Sequence, residues 1–446
     1  MQLAGRRVVV VGLGRSGIAA ADLCMRRGAT VIANDSLPRE RASEAMRALE
    51  ARGARLVLGG HDAVPWDEAD LVVISPGVPP FPALAVVERS GREVIGELEL
   101  ASRFVAAPIA LVGGTNGKST VTTLLGLMLG HGRKVFSGGN LGTPLAEVVD
   151  EAFDALVLEI SSFQAERIPT LHARAATLLN ITEDHLDRYP DFAAYAQAKG
   201  NMFVAMGPQD TAVIPAGDAV CGMQARRGGA RVVTFGPGGD VRAEGRWLVD
   251  HTSGWRVERS SVKLQGAHNE LNACAAMAMA AAMGGTEDGA RQTLASFTGL
   301  AHRTVLVAEV DGVRYYDDSK GTNVGASVAA LRGLREQRAV LIAGGRDKQG
   351  SYEPLMDTLR TKGRALVVIG EASNRIAEAA RGVIPTYRAA TMQDAVRKAS
   401  ELAEPGDAVL LSPACASFDM FRNYAERGDV FAAAVRALRD EAGGAR

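Results

Sequence analysis

No C-x-x-C pair occurs among the four cysteines, Cys24, Cys221, Cys274 and Cys415. Scattered in this way they offer neither a zinc site nor a disulfide framework, and a reducing cytoplasm is the expected setting. An excess of basic charge is also missing. The 50 Lys+Arg against 51 Asp+Glu leave a net charge of −1, which excludes a broadly basic nucleic-acid-binding face. No apolar run is long enough to span a bilayer. The nearest approach, Ala273 to Met283, is short and flanked by Asn272 and Gly284-Gly285, so it reads as a buried helix. The first residues read straight into a strand, so no secretory leader is expected. Nor is there a Ser-His-Asp or Cys-His constellation to supply a nucleophilic side chain. What remains is a chain of 446 residues, 47% hydrophobic and 23% charged, the composition of an ordinary soluble protein. It is too long for one core and implies about two to four domains. Nothing in it demands an oligomer, so a monomer is expected.

The most informative stretch is Gly113-Gly114-Thr115-Asn116-Gly117-Lys118-Ser119-Thr120. It follows the apolar run Ile109 to Val112, which reads as a buried parallel strand, and precedes a helical spread of apolar residues from Val121 to Leu129. A strand, a glycine-rich turn and a helix N-terminus together make an anion site, because backbone N–H groups and the helix dipole point at a phosphate. Lys118 adds a point charge for β/γ-phosphates and the Ser119 hydroxyl can ligate Mg²⁺. The general phosphate-loop pattern wants a glycine where Val112 stands, so this is a tighter variant.

Upstream, the valine-rich strand Arg6 to Val11 runs into Gly12-Leu13-Gly14-Arg15-Ser16-Gly17 and an Ala-rich helix, and the next apolar run ends at Asp35. Taken literally this is a dinucleotide fingerprint, with an acid about 20 residues on for a ribose hydroxyl. Alone it reports only a phosphate-bearing nucleotide. A further strand, Asp70 to Ile74, leads into the rigid turn Ser75-Pro76-Gly77-Val78-Pro79-Pro80. A dehydrogenase should next offer a substrate domain with a catalytic His or Lys, and a phosphate loop follows instead. Past that loop, residues 137–142 form a second glycine-rich connection, followed by an expected helix from Pro144 to Val149. The strand Ala155 to Glu159 ends in a carboxylate, where a nucleoside triphosphatase holds Mg²⁺. The strand Ala176 to Asn180 delivers the ionisable cluster Glu183, Asp184, His185, Asp187 and Arg188. A helix from Phe192 to Met206 carries Lys199, which local sequence alone would leave as a solvated surface lysine. Asn269 and Asn272 share one face of a helical turn and could read a base edge, or Asn269 could be a plain cap.

Near Leu300 the pattern restarts as a third α/β unit with a largely parallel sheet. Its strand ends carry Asp318, Lys320, Arg346, Asp347, Lys348 and the loop Ala414 to Asp419, where a ligand is expected. The fold class is therefore α/β in three domains. These are an N-terminal Rossmann-like domain (1–95), a central P-loop ATPase-like domain with a mainly parallel sheet (96–299) and a C-terminal Rossmann-like domain (300–446).

Six motifs in register along the whole chain resemble the Mur ligase family, the ATP-dependent amide ligases of peptidoglycan precursor synthesis. They are Gly114-Thr115-Asn116-Gly117-Lys118-Ser119, Glu159 with Ser161-Ser162-Phe163-Gln164, Asn180 with Asp184-His185-Leu186-Asp187, His268-Asn269 with Asn272, His302-Arg303, and Asp318-Ser319-Lys320 with Thr322-Asn323. The first glycine turn and Leu411 to Ser417 look like the branch that adds D-glutamate to UDP-N-acetylmuramoyl-L-alanine. The resemblance implies ATP, two Mg²⁺ ions and a carbamylated lysine. It places the ATP phosphates on Gly114 to Thr120 with Lys118, and the adenosine near Asn269, Asn272, Arg303 and Asp318. One metal would be held by Ser119 and Glu159, and a second by His185 with Lys199 as a carbamate. The uridine diphosphate substrate is expected at Gly14, Arg15, Ser16, Asp35, Ser36, Ser75 and Gly77, with Asn140 and Ser161 also on the substrate side. Lys320, Thr322, Lys348, Ser417, Phe418 and Tyr424 match positions around D-glutamate and the reaction centre. Leu37 stands where the related ligase carries an arginine, and Arg15 or Arg39 is the candidate replacement. The same resemblance explains the dinucleotide-like turn, since the family's first domain holds the uridine nucleotide.

Overall fold

Valine, isoleucine and leucine runs bounded by glycine turns become the strands of three sheets in the computed structural model, which describes residues 1–140, 142–264 and 266–444. Leu141, in the second glycine-rich connection, lies outside the described residues. By their contacts the residues group into two units. The first comprises Met1–Ile181, Ala193–Val262 and Leu271–Ser296; the second comprises Thr182–Phe192, Lys263–Glu270 and Phe297–Arg446.

The first unit contains two sheets. Five parallel strands, β1 (Arg7–Val11), β2 (Thr30–Asp35), β3 (Arg55–Leu58), β4 (Leu71–Ile74) and β5 (Val94–Gly96), form one in the order β3-β2-β1-β4-β5. All of β4 is buried, as is β1 apart from its first residue, which is why both read as continuous apolar runs rather than alternating ones. The direction of the strand order reverses at β1. The loops after β1 and β4 therefore lie at a topological switch point, where open α/β sheets take ligands. The second sheet has nine strands: β6 (Ile109–Gly113), β7 (Val135–Gly139), β8 (Ala155–Glu159), β9 (Ala175–Leu178), β10 (Thr211–Pro215), β11 (Arg231–Phe235), β12 (Val241–Glu244), β13 (Trp247–Asp250) and β14 (Arg256–Glu258). Their order is β14-β13-β12-β11-β10-β9-β6-β8-β7, with only the β12–β13 and β13–β14 pairs antiparallel. Strand β6 sits between β8 and β9, in the register Val112↔Glu159 and Val112↔Thr177. That register sets the Glu159 carboxylate beside the start of the phosphate loop.

The second unit has one sheet of six strands. These are β15 (Val305–Val310), β16 (Val313–Asp317), β17 (Ala339–Gly344), β18 (Gly363–Ile369), β19 (Thr386–Arg388) and β20 (Ala408–Leu411), ordered β15-β16-β20-β17-β18-β19. Only the β15–β16 hairpin is antiparallel. Apolar clusters cover both faces of this sheet, one around Leu341, Leu366 and Leu355, the other around Ile342, Val367 and Phe431. No helix among the described residues is long and apolar enough to cross a membrane.

Two expected helices are corrected. Residues 144–149 form only a 3₁₀ turn at Leu145–Glu147, and the helix begun at Phe192 stops at Gly200, with a 3₁₀ turn at Asn201–Phe203 beyond it.

Candidate active site

The glycine turn after β1 is shaped by packing as much as by φ. Gly12 has φ of +84°, and a Cβ there would collide with Val78, while a Cβ on Gly17 would overlap the Gly12 carbonyl oxygen. Ser75 Oγ donates to that same oxygen at 2.7 Å, so the Ser75–Gly77 turn is fastened to the first. Asp35 accepts from Leu13 N at 2.6 Å and from Leu37 N at 2.9 Å. Its carboxylate thus organises the turn itself. Gly14 precedes the helix Arg15–Arg26, whose start has no side-chain cap, leaving its dipole end for a ligand. Ser36 is exposed on the loop that follows β2. Of the two arginines considered as replacements at Leu37, Arg15 is bonded to Glu147, Gly142 O and Thr143 Oγ1, and Arg39 to Glu50. Ser16 Oγ donates to Glu97 at 3.3 Å.

In the phosphate loop Gly114 and Gly117 have φ of +139° and +86°. A Cβ on Gly117 would stand 2.5 Å from Asn272 Oδ1, so a glycine is required there and Asn272 is brought against the loop. Asn180 pins the loop in both directions, accepting from Asn116 N and donating to Asn116 O, while its own carbonyl accepts from Thr115 N. Lys118 Nζ folds back onto Gly114 O (2.9 Å) and Thr115 O (2.8 Å). Ser119 and Thr120 are buried in the first turn of the helix Lys118–Leu129. Glu159 is buried at the end of β8, with its Oε1 accepting from Asn140 Nδ2 at 2.7 Å. Ser161 is committed locally, forming a capping box with Gln164.

Lys199 is not a surface lysine. It is 4% exposed, donates to Gly114 O at 2.9 Å, and lies 4.7 Å from the centre of the Tyr195 ring. The Tyr195 hydroxyl is itself bonded to Thr115 Oγ1 at 3.1 Å. Lys199 and Lys118 therefore share one carbonyl of the phosphate loop. Among the described residues no three His, Cys, Asp or Glu side chains converge to hold a metal by themselves. The donors present, the Ser119 hydroxyl and the Glu159 carboxylate, are hard oxygens. That set suits Mg²⁺, which takes one or two carboxylates and completes its shell with phosphate and water.

In the second unit Asp184 is the hub. Its carboxylate accepts from Lys348 Nζ at 3.0 Å and from Asn323 Nδ2 at 3.2 Å, and Asn323 also caps the helix Val324–Gly333. His185 follows with φ of +56°. His302, Thr304, Gln349 and Ala414 share this left-handed backbone, so strained residues adjoin the loops bearing Arg303, Lys348 and Ser417. Each such conformation costs about 1–3 kcal/mol, the kind of strain that concentrates at ligand sites. Asp318 accepts from Ser412 Oγ and from the backbone and hydroxyl of Thr304, and burial pushes its acid up to about 7 although Ser412 and Arg303 oppose the shift. His268 is held below the usual imidazole range by burial and by Arg303. Asn269 lies inside the helix Ala267–Ala282 rather than at its cap. Lys320 Nζ stands 3.7 Å over the Tyr424 ring, and Thr322 N donates back to Lys320 O. Ser417 is buried, whereas Phe418 is 67% exposed.

Arg427, absent from the sequence-based candidates, is the largest fully buried side chain among the described residues. It donates to Ser319 Oγ, Ser319 O and Cys415 O, tying the loop after β16 to the loop after β20. Burial lowers its basicity to about 10.

The chain matches three family models in succession: "Mur ligase MurD-like, N-terminal domain" over residues 6–96, "Mur ligase middle domain" over 112–280, and "Mur ligase, glutamate ligase domain" over 302–415. It is 44% identical over 448 residues to a UDP-N-acetylmuramoylalanine--D-glutamate ligase of Desulfosudis oleivorans, covering 98% of this chain and 97% of the relative. It is also 44% identical over 450 residues to the protein of that name from Anaeromyxobacter dehalogenans, covering 96% of this chain and 97% of the relative. Among solved structures, the fold is shared with MurF ligase of Thermotoga maritima in complex with ADP, at a TM-score of 0.61 and 17% identity. That match covers 99% of this chain and 96% of the other.

Proposed function

The chain belongs to the Mur ligase family, and we propose that it joins D-glutamate to UDP-N-acetylmuramoyl-L-alanine at the expense of ATP, a cytoplasmic step of peptidoglycan precursor synthesis. The observation that carries this is similarity along nearly the full length to relatives of that name, with the phosphate-loop residues in place.

An amide does not form from a carboxylate and an amine in water until the carboxylate is activated. ATP supplies the activation by phosphorylating the alanyl carboxylate; the D-glutamate amine then displaces phosphate from the acyl phosphate. Lys118, once it leaves Gly114 O and Thr115 O for a ligand, neutralises the phosphates together with the loop amides. Ser119 and Glu159 are assigned to one Mg²⁺, and His185 with Lys199 as a carbamate to a second. The metals would supply charge neutralisation at the phosphates. Carbamylation joins neutral Nζ to CO₂ with loss of a proton and turns a cation into an anion. The burial of Lys199 against the phosphate loop supports that role. Asn269, Asn272, Arg303 and Asp318 are assigned to the adenosine. Gly14, Ser16, Ser36, Ser75, Gly77 and Asn140 are assigned to the uridine substrate, with Asp35 holding their turn. Lys320, Thr322, Lys348 and Ser417 are assigned to D-glutamate. The enzyme is proposed to act as a monomer.

The test is phosphate release from ATP. It is expected to require UDP-N-acetylmuramoyl-L-alanine and D-glutamate together, with little turnover when either is omitted or when D-glutamate is replaced by another amino acid. ATP hydrolysis indifferent to both compounds would overturn the assignment.

A further inference from the structure

Glu97 opens the helix Glu97–Ser102 directly after β5 and has no part in the chemistry above. Its side chain is buried, with the residue 3% exposed. Its carboxylate accepts from Ala146 N at 2.7 Å and from Ser16 Oγ at 3.3 Å. Burial pushes its acid up to about 7; the Ala146 amide and the Ser16 hydroxyl oppose the shift, and the like charge of Glu147 adds to it. The acid serves as acceptor for a buried backbone amide, and an apolar residue in its place would leave that amide without this partner.

What the acid does is join two turns. Ser16 belongs to the first glycine turn, at the C-terminal end of β1. Ala146 belongs to the Leu145–Glu147 turn, which closes the second glycine-rich connection. That connection is in turn fastened to Glu159. Gly139 N donates to Thr143 O, Asn140 N to Glu159 O, and Asn140 Nδ2 to Glu159 Oε1. Arg15 spans the same two segments through Glu147, Gly142 O and Thr143 Oγ1. It is exposed and contributes little by itself, so the buried acid is the firmer tie.

We propose that Glu97 is a positioning residue that sets the Asn140 segment, and through it the Glu159 carboxylate, against the first glycine turn. The inference rests on the assignment of the uridine substrate to that turn and of Mg²⁺ to Glu159.

Three quantities test it. They are the affinity for UDP-N-acetylmuramoyl-L-alanine measured calorimetrically without metal or ATP, the Mg²⁺ concentration for half-maximal turnover, and KM for D-glutamate as an internal reference. Glu97→Leu removes both acceptors at similar volume. It is expected to weaken the uridine substrate about tenfold, a loss of roughly 1.4 kcal/mol. The Mg²⁺ requirement should rise by a similar factor, while KM for D-glutamate stays within about twofold. Glu97→Gln keeps an acceptor for Ala146 N and a polar contact to Ser16, and is expected to restore both constants. Should Glu97→Leu fail to fold, Glu97→Asp takes its place, since its shorter arm cannot reach both partners. Wild-type affinity in Glu97→Leu, or a uniform loss that includes KM for D-glutamate, would overturn the proposal. If the wild-type enzyme itself does not bind the uridine substrate, the functional reading fails, and this inference with it.

Discussion

At the scale of single residues, the legible ones were those whose neighbours form a pattern. Lys118 and Ser119 stand out because a strand, a glycine turn and a helix frame them, and Glu159 because it ends an apolar strand. Lys199 and Arg427 could not be found that way. Lys199 has Gln197 and Ala198 before it and Arg427 has Glu426 and Asp429 beside it, and such neighbours suit a surface cation as well as a buried one. The structure buries both, and burial is what separates them from ordinary surface cations. For Lys199 the consequence is electrostatic. An ammonium beside a bound Mg²⁺ repels it in a poorly solvated site, and a carbamate reverses the sign. Lys199→Ala is expected to lower turnover by about 10- to 100-fold, the scale of losing a residue that supports a metal. Formate or acetate should restore part of the rate by filling the vacated anion position. Affinity for the uridine substrate should not change, because its assigned turns follow β1 and β4. An Ala variant turning over at the wild-type rate in bicarbonate-free buffer would leave Lys199 with no role in catalysis.

Among elements, the parallel strands were legible from continuous apolar runs, and the ends of β1, β4, β6 and β8 were right to within one residue, whereas β18 begins three residues before its apolar run at Leu366. The short connections were not. After Pro144 the chain makes one 3₁₀ turn and leaves helical geometry at Val148, where β-branched side chains disfavour continuation. The helix that carries Lys199 ends at Gly200, whose missing side chain admits Gln224 Oε1 and whose backbone entropy favours a break. The glycine turn after β1 shows the opposite limit: its pattern was legible, but the pattern is shared between nucleotide classes. In the structure both Asp35 oxygens already accept backbone amides, from Leu13 and Leu37. Those bonds fix the acid in the turn but leave each oxygen a further lone pair, so it is the match to D-glutamate ligases that decides between the nucleotides. Calorimetry is therefore expected to detect a uridine nucleotide and no NAD(H). Micromolar NAD(H) binding with none for the uridine compound would revive an oxidoreductase reading.

Across the whole molecule, the grouping into two units divides the ligands unequally. Every residue assigned to the uridine substrate falls in the first unit, and every residue assigned to D-glutamate falls in the second. Residues assigned to ATP occur in both units, Lys118 and Asn272 in the first and Asn269, Arg303 and Asp318 in the second. A ligand that binds only the folded form of a unit stabilises that unit by mass action, by about 2.7 kcal/mol at roughly 100 times its Kd. Where a unit opens cooperatively, amide exchange in its core strands slows by about the same 100-fold. The uridine substrate should therefore slow exchange in β1, β4, β6 and β8 and leave β17, β18 and β20 unchanged. D-Glutamate should do the reverse, and a non-hydrolysable ATP analogue should protect both sets. Hydrogen-exchange mass spectrometry resolves these strands directly. Equal protection of both sets by the uridine substrate alone would mean that the units do not open separately. Protection of β17, β18 and β20 in place of the first set would move the uridine site to the second unit and remove the assignment of the first glycine turn.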